Sequence, residues 1–161
     1  LYKSIRVHGQ GKNKYDNVRI GLNSRLDTIQ ASVLLNKLKI FDDELNNRQK
    51  ISKYYSQRLN NYLDVPYIEK DNYSSWAQYS LLAKNENCRN SIVKFLNKNN
   101  IPTAIYYNKV FSDFSMYNTC GEFNISKKIS NKIFSIPMHP YLTIDQMDNI
   151  IEKIIDYFKN D

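Results

Sequence analysis

Cysteine is scarce in this chain. Cys88 and Cys120 are its only two, their separation matches no metal-ligand spacing, and both stand among charged and polar neighbours rather than in a disulfide framework. The expectation is a reduced, cytoplasmic protein without a metal site. Long apolar runs are also missing: nothing approaches the roughly 18 residues of a membrane span, and the start carries no signal-peptide pattern. No membrane partner is therefore expected. An initiating methionine is absent too, and the chain opens in a run of structured character, Leu1-Tyr2-Lys3-Ser4-Ile5, so the reading is a piece of a longer polypeptide. There is no internal repeat, and the abundant Asn and Lys are spread along the chain, which marks compositional bias rather than low complexity.

What is present is enough for one real core. The 161 residues are 42% hydrophobic and 13% aromatic, whereas a split into two domains would leave each half small. The formal charge of +7 is placed unevenly, because residues 1 to 25 carry Lys3, Arg6, Lys12, Lys14, Arg19 and Arg25 against Asp16 alone. An anionic partner is expected at that end. Nucleic acid is the poorer candidate, since the basic residues are interleaved with Gly, Asn and His and form no run with regularly spaced aromatics. Phosphate on a small ligand suits such a loop, where backbone N–H groups and a guanidinium can converge on one anion.

Periodicity gives an α+β order. Asp27-Thr28-Ile29-Gln30 has capping-box character, and Leu34, Leu38, Phe41 and Leu45 follow as one apolar stripe. Ile51, Tyr55, Leu59 and Tyr62 form a second stripe beyond a polar patch from Asn46 to Lys50, where a bend or break is expected in a long helix over 27–62. Such a helix suits a bridge between domains or a dimer interface. A strand is expected within Trp76 to Ala83, a helix over Cys88 to Asn99, and a second strand over Ile101 to Tyr107. Asn108 to Glu122 reads as an irregular loop with Phe111, Phe114, Met116 and Tyr117 as buried anchors. A short helix over Ile125 to Phe134 leads to the apolar run Ile133-Phe134-Ser135-Ile136 and the rigid turn Pro137-Met138-His139-Pro140-Tyr141. The last helix opens on the capping box Thr143-Ile144-Asp145-Gln146 and buries Met147, Ile150, Ile151, Ile154 and Phe158.

One ordered set of motifs is more specific than any of its pieces. Ile5-Arg6 and His8-Gly9 come first, then Gly21-Leu22-Asn23-Ser24-Arg25, Gln30-Ala31, and Arg48 followed by Tyr55 and Leu59. Arg89 with Leu96, Ile101-Pro102-Thr103 with Tyr106-Tyr107, and Pro137 to Tyr141 complete it. In order and spacing this resembles the later part of the pyridoxal 5′-phosphate (PLP)-dependent sugar aminotransferases of the DegT/DnrJ/EryC1/StrS family. The resemblance implies fold type I (aspartate aminotransferase-like), with the large PLP domain outside this chain. Residues 1–26 would be a basic loop segment of that domain, 27–62 the long linking helix, and 63–161 the small C-terminal α+β domain.

The same resemblance implies that Asn23 binds the phosphate of PLP held by the neighbouring subunit of a homodimer with shared active sites. An Asn amide can donate to phosphate without adding charge, and Gly21 lets the backbone approach closely. The plainer role is a turn shaped by Gly21 and Asn23 ahead of a helix cap. Arg25 has two readings: binding an anionic group of substrate or cofactor, or pairing with a carboxylate on the long helix. His8 and His139 are placed by the family pattern on the substrate side, against a structural, hydrogen-bonded role for each. Tyr106 and Tyr107 cannot both face inward from one strand; the pattern puts this pair near the active-site entrance, with Tyr107 toward the substrate, and the plainer reading is one core and one surface tyrosine. The chain departs from its relatives after this pair, where Asn108-Lys109-Val110-Phe111-Ser112 replaces a Pro- and His-containing segment.

No catalytic residue is assigned within the chain, because the Schiff-base lysine and the aspartate facing the pyridine nitrogen belong to the domain ahead of Leu1 in this family. The intact relative is expected to move an amino group from glutamate to a keto-sugar nucleotide for amino-sugar and surface polysaccharide biosynthesis, and this part alone is expected to be inactive. A PLP-dependent sugar dehydratase of the same family and a shortened, non-catalytic binding domain are the alternatives.

Overall fold

The computed structural model describes residues 1–13, 15–117 and 121–159; Lys14 and Cys120 lie outside the described residues. Two compact units divide the chain, Leu1–Asp42 and Asp43–Asp161.

The first unit begins with a single helical turn, α1 (Tyr2–Ile5), and then folds back on itself through backbone hydrogen bonds. Val7 pairs with Asn23 and Gln10 with Asn17 as isolated antiparallel bridges. The His8 N–H donates to the Leu22 carbonyl at 3.0 Å, and the Ser24 N–H to the Arg6 carbonyl at 2.9 Å. Helix α2 (Thr28–Leu59) starts here, where the Asp27 carboxylate accepts from the Ile29 N–H at 2.8 Å and so satisfies one of the free donors of the first turn. The expected stripe of Leu34, Leu38 and Phe41 is exposed, at 50%, 64% and 48% of each residue's surface.

Helix α2 runs without a break through the polar patch from Asn46 to Lys50, so of the bend or break expected there the break is not formed. The patch is polar because its side chains serve neighbouring loops. Arg48 Nη1 donates to the Trp76 carbonyl at 2.8 Å and to that of Met138 at 3.4 Å, while Gln49 Nε2 donates to the Ser74 carbonyl at 2.6 Å. The Trp76 indole N–H returns a bond to Gln49 Oε1 at 2.8 Å. Trp76 holds a left-handed backbone (φ 49°), a strained state for a bulky residue, and these bonds fix it from both sides of its ring and backbone.

The second unit closes over the later half of α2. Ile51, Tyr55 and Leu59 are buried against β1 (Tyr79–Leu82), α3 (Glu86–Lys98), β2 (Ile133–Ile136) and α5 (Ile144–Lys159) in one apolar core. Strands β1 and β2 pair antiparallel, Tyr79 opposite Ile136 and Leu82 opposite Ile133. Single bridges extend this ribbon on each edge, Asp64 to Leu82 and Ala104 to Ser135. The second expected strand, Ile101 to Tyr107, is thus reduced to Ala104, which exchanges both backbone bonds with Ser135. Instead, the apolar run Ile133–Ile136 is the strand, and the helix expected to reach Phe134 stops earlier as α4 (Asn124–Ser130). Ser135 has spent its backbone on Ala104, so it meets β1 through its side chain, with Ser80 Oγ 2.8 Å from Ser135 Oγ.

Caps set the helix ends. Asn85 Oδ1 accepts from the Cys88 N–H at 2.9 Å, and α3 ends in a Schellman turn in which left-handed Asn100 (φ 60°) takes the place usual for glycine. The capping box of α5 is formed as expected: the Thr143 N–H bonds Gln146 Oε1 at 3.0 Å and the Gln146 N–H bonds Thr143 Oγ1 at 3.3 Å.

Candidate functional site

The expected site residues fall into two groups, one in each unit, and each group is described separately. In the first unit, His8, Asn23 and Arg25 are exposed and carried by one hydrogen-bonded fold-back. His8 takes a left-handed backbone (φ 57°) beside Gly9 (φ 73°), and Gly9 is buried where the strand-like segment near Arg19 crosses it. That crossing is tight enough to require glycine, since a Cβ on Gly9 would collide with the Arg19 carbonyl. Ser4 Oγ donates to the Gln10 carbonyl at 2.6 Å and accepts from Arg19 Nη1, which ties the basic loop to α1.

Asn23 and Arg25 line a depression of about 380 Å³ together with Leu26, Asp27 and Thr28 at the start of α2. Here the positive end of a 32-residue helix adds to the guanidinium of Arg25. Arg25 has no carboxylate partner among the described residues, so of its two readings the pair with the long helix is not formed within this unit.

In the second unit, His139 sits in the turn between β2 and α5. Its Nδ1 accepts from the Tyr141 N–H at 3.3 Å, so the proton of the neutral ring lies on Nε2. The turn is anchored from below by the Tyr55 hydroxyl, which donates to the Pro137 carbonyl at 3.2 Å, and from the side by Tyr141 and Glu44, which share a hydrogen bond. Burial drives the Tyr55 phenol well above its ordinary range and keeps it a neutral donor.

Tyr107 lines a different feature, a cavity of about 470 Å³ formed by Tyr106 to Ser112 with Phe114, Phe123 and Ser126. His139 does not line it. Neither tyrosine is core: Tyr106 and Tyr107 are 55% and 67% exposed with rings 6.5 Å apart. The expected buried anchors are exposed too, Phe111 at 74% and Met116 at 77%, because the loop turns its aromatics toward the cavity and solvent rather than the core. Phe111 to Asp113 form a 3₁₀ turn whose Asp113 is paired with Lys127 of α4 at 3.2 Å, and this holds one wall of the cavity. Ser112 Oγ is buried there without a hydrogen-bond partner among the described residues. Sequence reasoning marked the aromatics of this loop, but nothing in the pattern pointed to Ser112, Phe123 or Ser126 as cavity walls.

Among the described residues no group of His, Cys, Asp and Glu could hold a metal, and no helix is long and apolar enough to cross a membrane.

Comparison with known proteins agrees with the ordered motifs. The model of the DegT/DnrJ/EryC1/StrS aminotransferase family matches residues 1–155. A UDP-2-acetamido-2-deoxy-3-oxo-D-glucuronate aminotransferase from Pseudomonas aeruginosa is 36% identical over 142 residues, 87% of this chain and 38% of the relative. A dTDP-3-amino-3,6-dideoxy-alpha-D-galactopyranose transaminase from Aneurinibacillus thermoaerophilus is 29% identical over 95% of this chain and 42% of its own length. The crystal structure of a DegT DnrJ EryC1 StrS aminotransferase from Brucella abortus superposes with a TM-score of 0.90 at 41% identity, covering 96% of this chain and 42% of that one. The chain spans about two-fifths of the length of these relatives. It belongs to the DegT/DnrJ/EryC1/StrS family of PLP-dependent aminotransferases.

Proposed function

We propose that this chain is the C-terminal part of a fold type I sugar aminotransferase that transfers an amino group from glutamate to a keto-sugar nucleotide, supplying an amino sugar for surface polysaccharide. The observation that carries this is the match over residues 1–155 combined with relatives whose names specify an aminotransferase of a UDP-oxo-sugar and a transaminase of a dTDP-amino-sugar. Residues 1–26 belong to the edge of the large domain, 27–62 link it to the small domain of 63–161, and the assembled enzyme is a cytoplasmic homodimer. This part alone is inactive.

The first unit fits the phosphate arm of PLP. Asn23 is exposed, its backbone is fixed by pairing to Val7, and its amide can donate to phosphate beside Arg25 and the first turn of α2. The Asp27 carboxylate in the same depression is committed to the Ile29 N–H, which limits its repulsion of an anion. When bound, PLP supplies the electron sink that makes amino transfer possible. In this assignment Asn23 holds the phosphate of the cofactor bound by the partner subunit, Arg25 and His8 bind anionic parts of the substrate, and Tyr107 and His139 flank the substrate from the small domain.

The test is to incubate the complete protein, loaded with PLP, with glutamate and UDP- or dTDP-keto-sugars and to identify products by mass. Appearance of the aminated sugar nucleotide with 2-oxoglutarate is the expected result. Loss of water from the sugar without nitrogen incorporation would replace the aminotransferase reading with the dehydratase one.

A further inference from the structure

Arg48 belongs to the ordered motifs, yet the function assigned so far gives it no task. It lies on α2 with Glu44 and Tyr55, at spacings of four and seven residues, which puts all three side chains on one face of the helix. Each of them ends on the same short turn, Pro137 to Tyr141. Glu44 shares a hydrogen bond with the Tyr141 hydroxyl, and the Tyr55 hydroxyl donates to the Pro137 carbonyl at 3.2 Å. Arg48 takes the middle of the turn: its Nη1 donates to the Trp76 carbonyl at 2.8 Å and also reaches the Met138 carbonyl at 3.4 Å. The half-buried guanidinium has no carboxylate partner among the described residues, so its charge serves these two carbonyls.

The Met138 carbonyl shares a planar peptide unit with the His139 N–H, so holding that oxygen fixes the direction in which the chain enters His139. On the far side of the residue, His139 Nδ1 accepts from the Tyr141 N–H at 3.3 Å, and the His139 carbonyl accepts from the Leu142 N–H at 3.4 Å. With Nδ1 engaged, the exposed ring offers its proton from Nε2, and the tethers on both sides set where that N–H points. We infer that Arg48 is a positioning residue, which acts through the Met138 carbonyl to hold His139 in the orientation that meets the substrate. This rests on the reading above that His139 flanks the substrate, and it names the long helix as the element that aims it. The anchor is stiff, because the short bond runs to a loop whose Trp76 indole is itself tied to α2 through Gln49 at 2.8 Å. A lysine would keep the charge but replace the planar fork that spans both carbonyls with a flexible ammonium.

The complete protein, loaded with PLP, can be assayed with glutamate and UDP- or dTDP-keto-sugars in the parent, R48K, R48M, H139A and R48M/H139A forms. Hydrogen exchange with peptide mass analysis is followed on the same proteins. The expected result is that R48M lowers kcat/KM for the keto-sugar nucleotide by about tenfold, the loss that removal of a charged hydrogen bond brings, and that R48K recovers part of it. On the H139A background R48M lowers kcat/KM by less than about twofold further, because the two residues act as one unit. Exchange in R48M rises across residues 137–142 while α5 keeps its protection. Full additivity of R48M and H139A, an H139A protein as active as the parent, or loss of protection throughout α5 overturns the assignment. Absence of amino transfer in the parent removes the aminotransferase reading instead, and the exchange data then decide. Protection lost only at 137–142 in R48M upholds the anchor on His139, and unchanged protection there overturns it.

Discussion

Gly21 packs so closely on Gly9 that a Cβ at Gly21 would overlap the Gly9 nitrogen and the His8 carbonyl carbon and lie 2.7 Å from the Ile5 carbonyl oxygen. All three obstacles are backbone, so no side chain can swing away to make room. The crossing sets the register of the fold-back, because the next residues pair through Leu22 N–H to Ile5 and Ser24 N–H to Arg6. Gly21→Ala is therefore expected to open residues 5–24 while sparing the second unit. Hydrogen exchange followed by peptide mass analysis would show faster exchange in that segment only; uniform protection would mean that the crossing tolerates a methyl group.

Asn23 depends on that register. If its amide holds a phosphate, Asn23→Ala removes a hydrogen bond to a charged group, worth about 1.5–3 kcal/mol, and should weaken PLP retention by the complete protein by roughly tenfold or more. Asn23→Asp should be worse, since it sets a carboxylate against the phosphate. Dialysis with absorbance readout of retained cofactor measures both. Equal retention in all three proteins would return Asn23 to the role of a turn residue.

Much of the helical frame was legible in the sequence, and the reasons are local. The Thr143 and Gln146 box and the spacing of Met147, Ile150, Ile151 and Ile154 are properties of neighbours in the chain, and α5 follows them. The sheet was less legible because its pattern is set by distant partners. Ser135 is buried between Ala104 on one edge and Ser80 on the other, so β2 reads as a short apolar run without alternation. Pro102 and Ala104 looked like a strand, yet only Ala104 finds a partner. The polar patch on α2 misled for a related reason: Arg48 and Gln49 are polar because loops 25 to 90 residues away need donors there, which local periodicity cannot reveal. Of the candidate site, the motif residues were identifiable one by one, while the cavity around Phe111 and Ser112 exists only once the loop is folded against α4.

The Gln49 bridge offers a clean stability measurement, because Trp76 is the only tryptophan in the chain. Gln49→Leu keeps similar volume but leaves the buried indole N–H and the Ser74 carbonyl without partners. An unsatisfied buried group costs about 1–3 kcal/mol, so a loss of that order is expected in urea unfolding, with a changed emission maximum in the native baseline. No change in either would show that water or another group takes over both bonds.

Tyr79 sets an alkaline limit on the second unit. Burial pushes its phenol up to about 12 from an ordinary value near 10, although the Ser56 hydroxyl at 2.7 Å pulls slightly the other way. Between those two values the unfolded chain loses the phenolic proton and the folded chain keeps it, so the native state binds more protons and stability falls as pH rises. The contribution is complete below pH 10 and declines by about 1.4 kcal/mol per pH unit from there to about pH 12. Tyr55, raised further by the same cause, steepens the decline over the same range. Tyr79→Phe abolishes one of the two titrations, and its urea midpoint should depend less on pH between 10 and 12 than that of the parent. Parallel curves for the two proteins would show that the Tyr79 phenol ionises equally in both states, and the alkaline sensitivity would then belong to Tyr55 and the exposed tyrosines.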